Sequence, residues 1–238
     1  MMNDIAISYL SHNVAQHIDM IEALRRGNAE VLGVTDTACL LQNRGNYALQ
    51  LACDTAADGV KLLQNAPAFG LVVAHGDAAV CAVKTLRPDY DCRRPCHQGY
   101  YPSKERHAVP PTCTIAPYPI DRLDDVLAHY DNVRDPRYII DRIEKGDLFA
   151  GYHEEQLCGF IGFHSDGSMG MLEVFPEFRR LHIGFALEQN LINVALDRGW
   201  TPYCHIYADN LPSIRLQEKL GLIVTSDCPV AWMHAPRE

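Results

Sequence analysis

The stretch Met171-Leu172-Glu173-Val174-Phe175-Pro176-Glu177-Phe178-Arg179-Arg180-Leu181-His182-Ile183-Gly184-Phe185-Ala186-Leu187 changes character twice along its length. Its apolar start reads as a strand that stops at Pro176, because proline has no N–H for a sheet ladder. A short basic turn follows, and a helical pattern begins near Ile183. The first turn of a helix leaves backbone N–H groups without partners inside the helix. Together with the helix dipole they make a site for an anion such as a pyrophosphate. Gly184 would let the backbone approach phosphate oxygens closely, and Arg179 and Arg180 add positive charge. An ordinary strand–turn–helix with solvated arginines would use the same residues, so physics alone leaves both readings open.

The sequence around this stretch alternates strands and helices. Upstream, Thr112–Pro117 reads as a strand, and Ile120, Leu123, Val126, Leu127 and Tyr130 recur at helical spacing. Ile139, Ile140 and Ile143 mark a second helix that stops near Gly146. Strands are expected at Leu148–Tyr152, Leu157–His164 and Met169–Phe175, with a hairpin turn at Asp166-Gly167. Downstream, Ile183–Arg198 reads as a long helix ended by Gly199, and Tyr203–Ala208 as a strand. A helix over Pro212–Leu220 has proline at its start and Gly221 at its end. Ile223–Thr225 and Val230–His234 close the pattern.

The first half has a similar rhythm. A helix is expected from about Asn13 to Arg26, with Ile18, Ile21, Ala23 and Leu24 on one side. Strands follow at Ala29–Gly33, Ala38–Gln42 and Tyr47–Ala52, the last two joined by a turn through Asn43-Arg44-Gly45-Asn46. Asp54 is placed to cap a helix over Thr55–Gln64. A strand at Gly70–Ala74 and a helix near Ala78–Leu86 come next. Arg87–Pro111 carries five prolines without a clear period and reads as a linker or irregular crossing segment. Arg26-Gly27-Asn28 and Lys145-Gly146-Asp147 stand 119 positions apart, as do Cys39 and Cys158. This echo suggests an ancestral duplication.

Composition limits the function classes. The chain has 238 residues, 47% of them apolar and 21% charged, with a net charge of −9. A sequence-independent binder of nucleic acid needs a basic surface, so nucleic acid is not the expected partner. An anionic membrane surface is disfavoured for the same reason, and no run approaches a bilayer-spanning length. No signal peptide is visible, and nine cysteines, an odd number, read as reduced thiols in a cytoplasmic protein. Cys92, Cys96, His97 and Cys113 are too loosely spaced for a zinc site and read as surface loop, so no metal is expected.

With these residues in view, the segment resembles the acyl-CoA-binding core of the GNAT superfamily of N-acyltransferases. That family ends a strand on valine–x–proline and continues with R/Q-x-x-G-x-G/A. Here the strand end is Val174-Phe175-Pro176, and Arg179, His182 and Gly184 occupy the later motif positions, with histidine at the first glycine. A second block, Asp209-Asn210-Leu211-Pro212-Ser213 through Lys219-Leu220-Gly221-Leu222, resembles the family's asparagine, small residue and K-L-G-F helix end. The similarity covers about Thr112–His234. In plan the chain looks like the glycine N-acyltransferase-like group. The expected fold is α/β (α+β), a mixed central sheet flanked by helices. Residues 1–110 would be a degenerate GNAT-like domain with linker, and residues 111–238 the catalytic domain.

The resemblance implies direct transfer of an acetyl or other short acyl group from acetyl-CoA, the co-substrate, to the amine of a small molecule or amino acid. The strands ending at Val174 and starting at Tyr203 would splay apart, with the thioester between them. The Val174 N–H would donate to the thioester oxygen. The backbone N–H groups from Arg180 through Leu181, His182 and Ile183 to Gly184 would take the pyrophosphate, with Arg179 and Phe185 beside them in the cofactor site; Asn210 would face the pantetheine arm, and Ser213 is small where CoA passes. Glu173 is the candidate general base, with partial burial expected to raise its pKa; pairing with a basic neighbour is the alternative. His164, His205 and Tyr207 are further candidates on neighbouring strands. The family often has a thiolate-protonating tyrosine in the last helix, where this chain has Gln217, and an amide is no proton donor. Tyr207 is the candidate replacement. A non-catalytic acyl-CoA-binding protein, or transfer to a protein amine, would use the same cofactor residues.

Overall fold

The computed structural model describes residues 2–92, 94–133, 135–226 and 230–236. Cys228 lies outside them; the other eight cysteines are free thiols. The chain divides into two compact units, one of Met1–Tyr100 with His205–Glu238 and one of Tyr101–Cys204. The boundary at 110/111 expected from the motifs is one of sequence kinship rather than of compactness.

In the first unit, α1 (Met2–Leu10) and α2 (Val14–Arg25) precede β1 (Ala29–Val34), β2 (Ala38–Asn43) and β3 (Leu49–Cys53). Then come α3 (Ala56–Gln64), β4 (Leu71–His75), α4 (Asp77–Leu86), β5 (Asp91–Cys92) and β6 (Cys96–Tyr100). β1–β2–β3 is an antiparallel meander, and β4 joins it parallel to β3 over four rungs, Leu49–Val72 to Ala52–His75. Strand β2 is apolar on both faces because both are covered. Leu40 points to the side of α3 and α4, whereas Cys39 and Leu41 point to that of α1 and α2.

Sequence reading missed α1, whose Ala6, Tyr9 and Leu10 are buried in only nine residues. It also read all of Arg87–Pro111 as a linker or irregular crossing segment. That stretch contains β5 and β6, and Cys96 is buried there rather than in a surface loop; Cys113 is buried too. The cap of α3 is Thr55, whose side chain accepts from the Asp58 N–H at 3.3 Å. Asp54, the expected cap, instead accepts from the Tyr9 hydroxyl at 2.9 Å.

The second unit runs from β7 (Thr114–Pro117) through α5 (Leu123–His129), α6 (Pro136–Glu144), β8 (Leu148–His153) and β9 (Gln156–Phe163). It continues with β10 (Met169–Val174), α7 (Ile183–Asp197) and the start of β11 (Tyr203–Tyr207). β7 to β10 are antiparallel, and β10 meets β11 parallel at the single rung Met169–Cys204. Val126, Ile139, Leu148, Phe160, Met171 and Phe175 form the core under α5 and α6. The irregular chain after Tyr101 is fixed to α7 by Asn193, which accepts from the His107 N–H at 2.8 Å and donates to its carbonyl at 2.9 Å. The last residues of β11, with α8 (Leu211–Lys219), β12 (Ile223–Val224) and β13 (Val230–His234), belong to the first unit. There β13 runs antiparallel to β4.

Candidate functional site

Strand β10 carries an extra residue. Gly170 is opposite Gly162, but Glu173 is opposite Phe160, so three steps on β10 match two on β9. Met171 takes up the difference with φ +52°. This is a β-bulge, which bends a strand and re-aims the residues beyond it. The single rung to β11 lies before it.

The bulge sets the direction of the Val174 N–H. The Glu173 carbonyl is turned toward β9, so close that a Cβ on Gly159 would come within 2.3 Å of its oxygen. The Phe175 N–H also points to β9, donating to the Cys158 carbonyl at 3.0 Å. Trans peptides place successive N–H and C=O groups on opposite sides. The Val174 N–H and C=O therefore both point away from β9. That is the orientation required of a donor to a substrate oxygen. Gly159 was missed as a site-shaping residue, although an isolated glycine within a strand is a known sign of a bulge or close approach.

The turn after β10 is held by Arg179. Its Nε donates to the Val174 carbonyl and its Nη2 to Glu173 Oε1, both at 3.2 Å. Glu173 thus takes the basic neighbour that sequence reading left as the alternative. Arg180 and His182 both have left-handed backbone, φ +67° and +59°. Such alternation turns nearby N–H groups toward one side and makes an anion-binding concavity. His182 is the N-cap residue of α7, and its side chain makes no capping bond. The conformation explains the family's glycine: without a Cβ, a left-handed φ carries no steric penalty. Gly184 packs toward β10, where an added Cβ would sit 3.5 Å from Val174 Cγ2, an ordinary contact. Leu181 is exposed, Ile183 is buried, and Phe185 is partly buried. A concave, uncapped helix start with a glycine in its first turn fits a pyrophosphate.

Tyr207, Asn210 and Ser213 belong to the first unit. Asn210 is the N-cap of α8, and its Oδ1 accepts from the Ser213 N–H at 3.2 Å. The two residues expected along CoA are therefore joined in a helix cap. Tyr207 is partly buried beneath the Arg94 guanidinium, which lies 3.6 Å from the ring centroid. Gln217 is buried. His205 Nε2 lies 3.0 Å from the Gln98 amide and 3.7 Å from Asp19. In the second unit, His164 is engaged by the Tyr138 hydroxyl at 3.0 Å and lies over Gly170.

The mixed sheet flanked by helices matches the fold of solved GNAT-type acetyltransferases. Residues 110–222 match the Acetyltransferase (GNAT) family. Solved structures agree over nearly the whole chain. A Drosophila protein is similar at 15% identity and TM-score 0.64, covering 99% of this chain and 96% of its own. A GCN5-related N-acetyltransferase from Kribbella flavida is similar at 12% identity and TM-score 0.59, covering 94% and 96%. One from Sphaerobacter thermophilus gives 14% identity and TM-score 0.56, covering 94% and 91%. No curated protein matches the sequence.

Proposed function

We propose that the protein is an N-acyltransferase that moves an acetyl or other short acyl group from acyl-CoA to the amine of a small molecule or amino acid. The observation that carries this reading is the Met171 bulge, which turns the Val174 N–H away from β9 just before the α7 helix start. The match of residues 110–222 to an acetyltransferase family supports it. The backbone N–H groups from Arg180 to Gly184 take the pyrophosphate, and bound acetyl-CoA supplies the activated thioester. The Val174 N–H donates to the oxygen that gains charge as the amine attacks. Glu173 accepts the amine proton, with Arg179 fixing its position. Tyr207 stands for the acid that Gln217 cannot be.

The repeated plan supports an N-terminal half related to the catalytic one but without its site. Both halves run strand, strand, strand, helix, strand, helix: β1-β2-β3-α3-β4-α4 and β8-β9-β10-α7-β11-α8. In the first half, β3 and β4 pair over four rungs, leaving no splay, and only two residues separate β3 from α3. Asp58 stands in the first turn of α3, where a phosphate would be repelled. We assign residues 1–110 to this degenerate half and 111–238 to the catalytic one.

The acidic balance favours neither nucleic acid nor an anionic membrane as partner. Among the described residues no helix is long and apolar enough to cross a membrane. We place the protein in the cytoplasm on its free cysteines. The test is release of free CoA thiol from acetyl-CoA in the presence of a panel of amino acids and small amines. Turnover with an acceptor, and not without, supports the reading. The Glu173–Arg179 pair gives one observation for a non-catalytic acyl-CoA-binding protein. That alternative predicts tight CoA binding and no turnover with any amine.

A further inference from the structure

Arg94 sits beside Tyr207 in a way its own fold does not need. The segment before β6 is pinned to the end of β11 by the Ala208 N–H, which donates to the Pro95 carbonyl at 2.9 Å. From there the Arg94 guanidinium lies over the Tyr207 ring, its Cζ 3.6 Å from the centroid, and Nη2 donates to Asp209 Oδ1 at 2.8 Å. The guanidinium has five N–H donors in a rigid fork, and no other side-chain partner meets them among the described residues. The Arg94 and Asp209 side chains are 49% and 75% exposed. A pair so exposed contributes little to stability, and a ligand can reach it.

The orientation is nevertheless fixed. Stacking on an aromatic face holds the guanidinium plane, so its free edge is aimed rather than mobile. A planar fork held this way matches an anionic oxygen group in two parallel hydrogen bonds. Asp209 then acts as a placeholder carboxylate, exposed enough to share or surrender the cation. Positive charge at one fixed point of a chain with net charge −9 is itself selective for an anion.

We propose that Arg94 binds an anionic oxygen group of a substrate at the Tyr207 end of β11, either the carboxylate of an amino-acid acceptor or a phosphate of CoA. This rests on the acyltransferase reading, which places Tyr207 at the reaction. A carboxylate source would make the acceptor an amino acid rather than a simple amine.

The experiment compares the full chain with Arg94→Ala, Arg94→Lys and Asp209→Asn. Acetyl transfer is measured to each amino acid that serves as acceptor and to its carboxyl amide, and CoA and 3′-dephospho-CoA binding by calorimetry. If the carboxylate is the ligand, Arg94→Ala raises the acceptor KM roughly 10- to 100-fold and leaves the amide unchanged. Arg94→Lys, which keeps charge but loses the fork, recovers little of it, and Asp209→Asn lowers the KM. A role only in supporting Tyr207 would move acid and amide alike and overturn the proposal. If a phosphate is the ligand, Arg94→Ala weakens CoA by a similar factor; an equal loss for 3′-dephospho-CoA locates it at the pyrophosphate, a smaller one at the 3′-phosphate. Unchanged acceptor and CoA parameters in Arg94→Ala, with wild-type turnover intact, overturn the Arg94 proposal alone. Failure of the wild type to bind CoA overturns the acyltransferase reading, and the proposal with it.

Discussion

Arg179 grips both Glu173 and Val174, donating to a side-chain oxygen of the first and the backbone carbonyl of the second, each at 3.2 Å. The candidate base and the candidate oxyanion donor are thus positioned by one side chain. If Glu173 accepts the amine proton, Glu173→Gln lowers turnover roughly 10²- to 10⁴-fold, the usual range for a lost general base. CoA affinity stays within about threefold, because the substitution leaves the backbone donors in place. Steady-state kinetics with parallel CoA titration checks both. Turnover close to wild type would remove Glu173 from the mechanism.

His182 holds a left-handed backbone at φ +59° with a Cβ that glycine would lack. His182→Gly therefore stabilises the protein by up to about 1 kcal/mol, less the extra chain entropy glycine brings to the unfolded state. Tm should rise, by no more than about 2–4 °C, with CoA binding retained because the N–H is unchanged. A fall in Tm on calorimetry would mean that the histidine side chain makes a contact worth more than the strain.

Gly184 gives the converse case. A Cβ there meets Val174 Cγ2 at 3.5 Å, which the fold accepts, and alanine is the better helix former by about 1 kcal/mol. Gly184→Ala should fold at least as stably as the wild type and keep CoA affinity within about threefold, since the motif admits glycine or alanine at this position. A roughly tenfold loss of CoA affinity, about 1.4 kcal/mol, would show that the phosphate comes closer to this turn than an added methyl group allows.

The sequence revealed the site's main chain better than its shape. The strand end at Val174-Phe175-Pro176 and the helix from Ile183 were readable because proline and helical period are local signals. The bulge was not, since nothing about Met171 marks a positive φ; Gly159 was its one visible trace. Strand β6 was hidden because its partners, β12 and β13, lie more than a hundred residues away and its prolines suggested loop. Helix α2 looked two-sided, yet Gln16, Asp19 and Glu22 are buried with Ile18 and Ile21. The carboxylate of Asp19 meets His75 Nε2 at 2.9 Å and the Gln50 amide at 3.0 Å, pairings between elements that no local pattern displays.

That buried cluster should make the fold sensitive to acid. Burial, reinforced by the neighbouring His75, pushes His17 down to about 4, below the roughly 6.5 of an unfolded chain. The unfolded state therefore binds the proton first. The stabilisation is complete above pH 6.5 and is lost as pH falls toward 4, amounting to about 3 kcal/mol at most. For Asp19, burial works to raise the pKa, but the imidazoles of His75 and His205 hold it well below the usual range. Its contribution is lost only below about pH 4. Urea unfolding from pH 7 to 4 should show stability declining across that window in the wild type and a flatter profile in His17→Gln. Equal slopes would assign the acid sensitivity elsewhere.

Thermal unfolding with acetyl-CoA, free CoA or ATP shows whether the α7 helix start and the bulged β10 form an acyl-CoA site. A ligand at about 100 times its Kd adds about 2.7 kcal/mol, which for a chain of this size raises Tm by roughly 5–10 °C. An acyl-CoA site gives that rise with acetyl-CoA and CoA and none with ATP. An unchanged midpoint at millimolar acetyl-CoA would contradict such a site and leave only the shared fold.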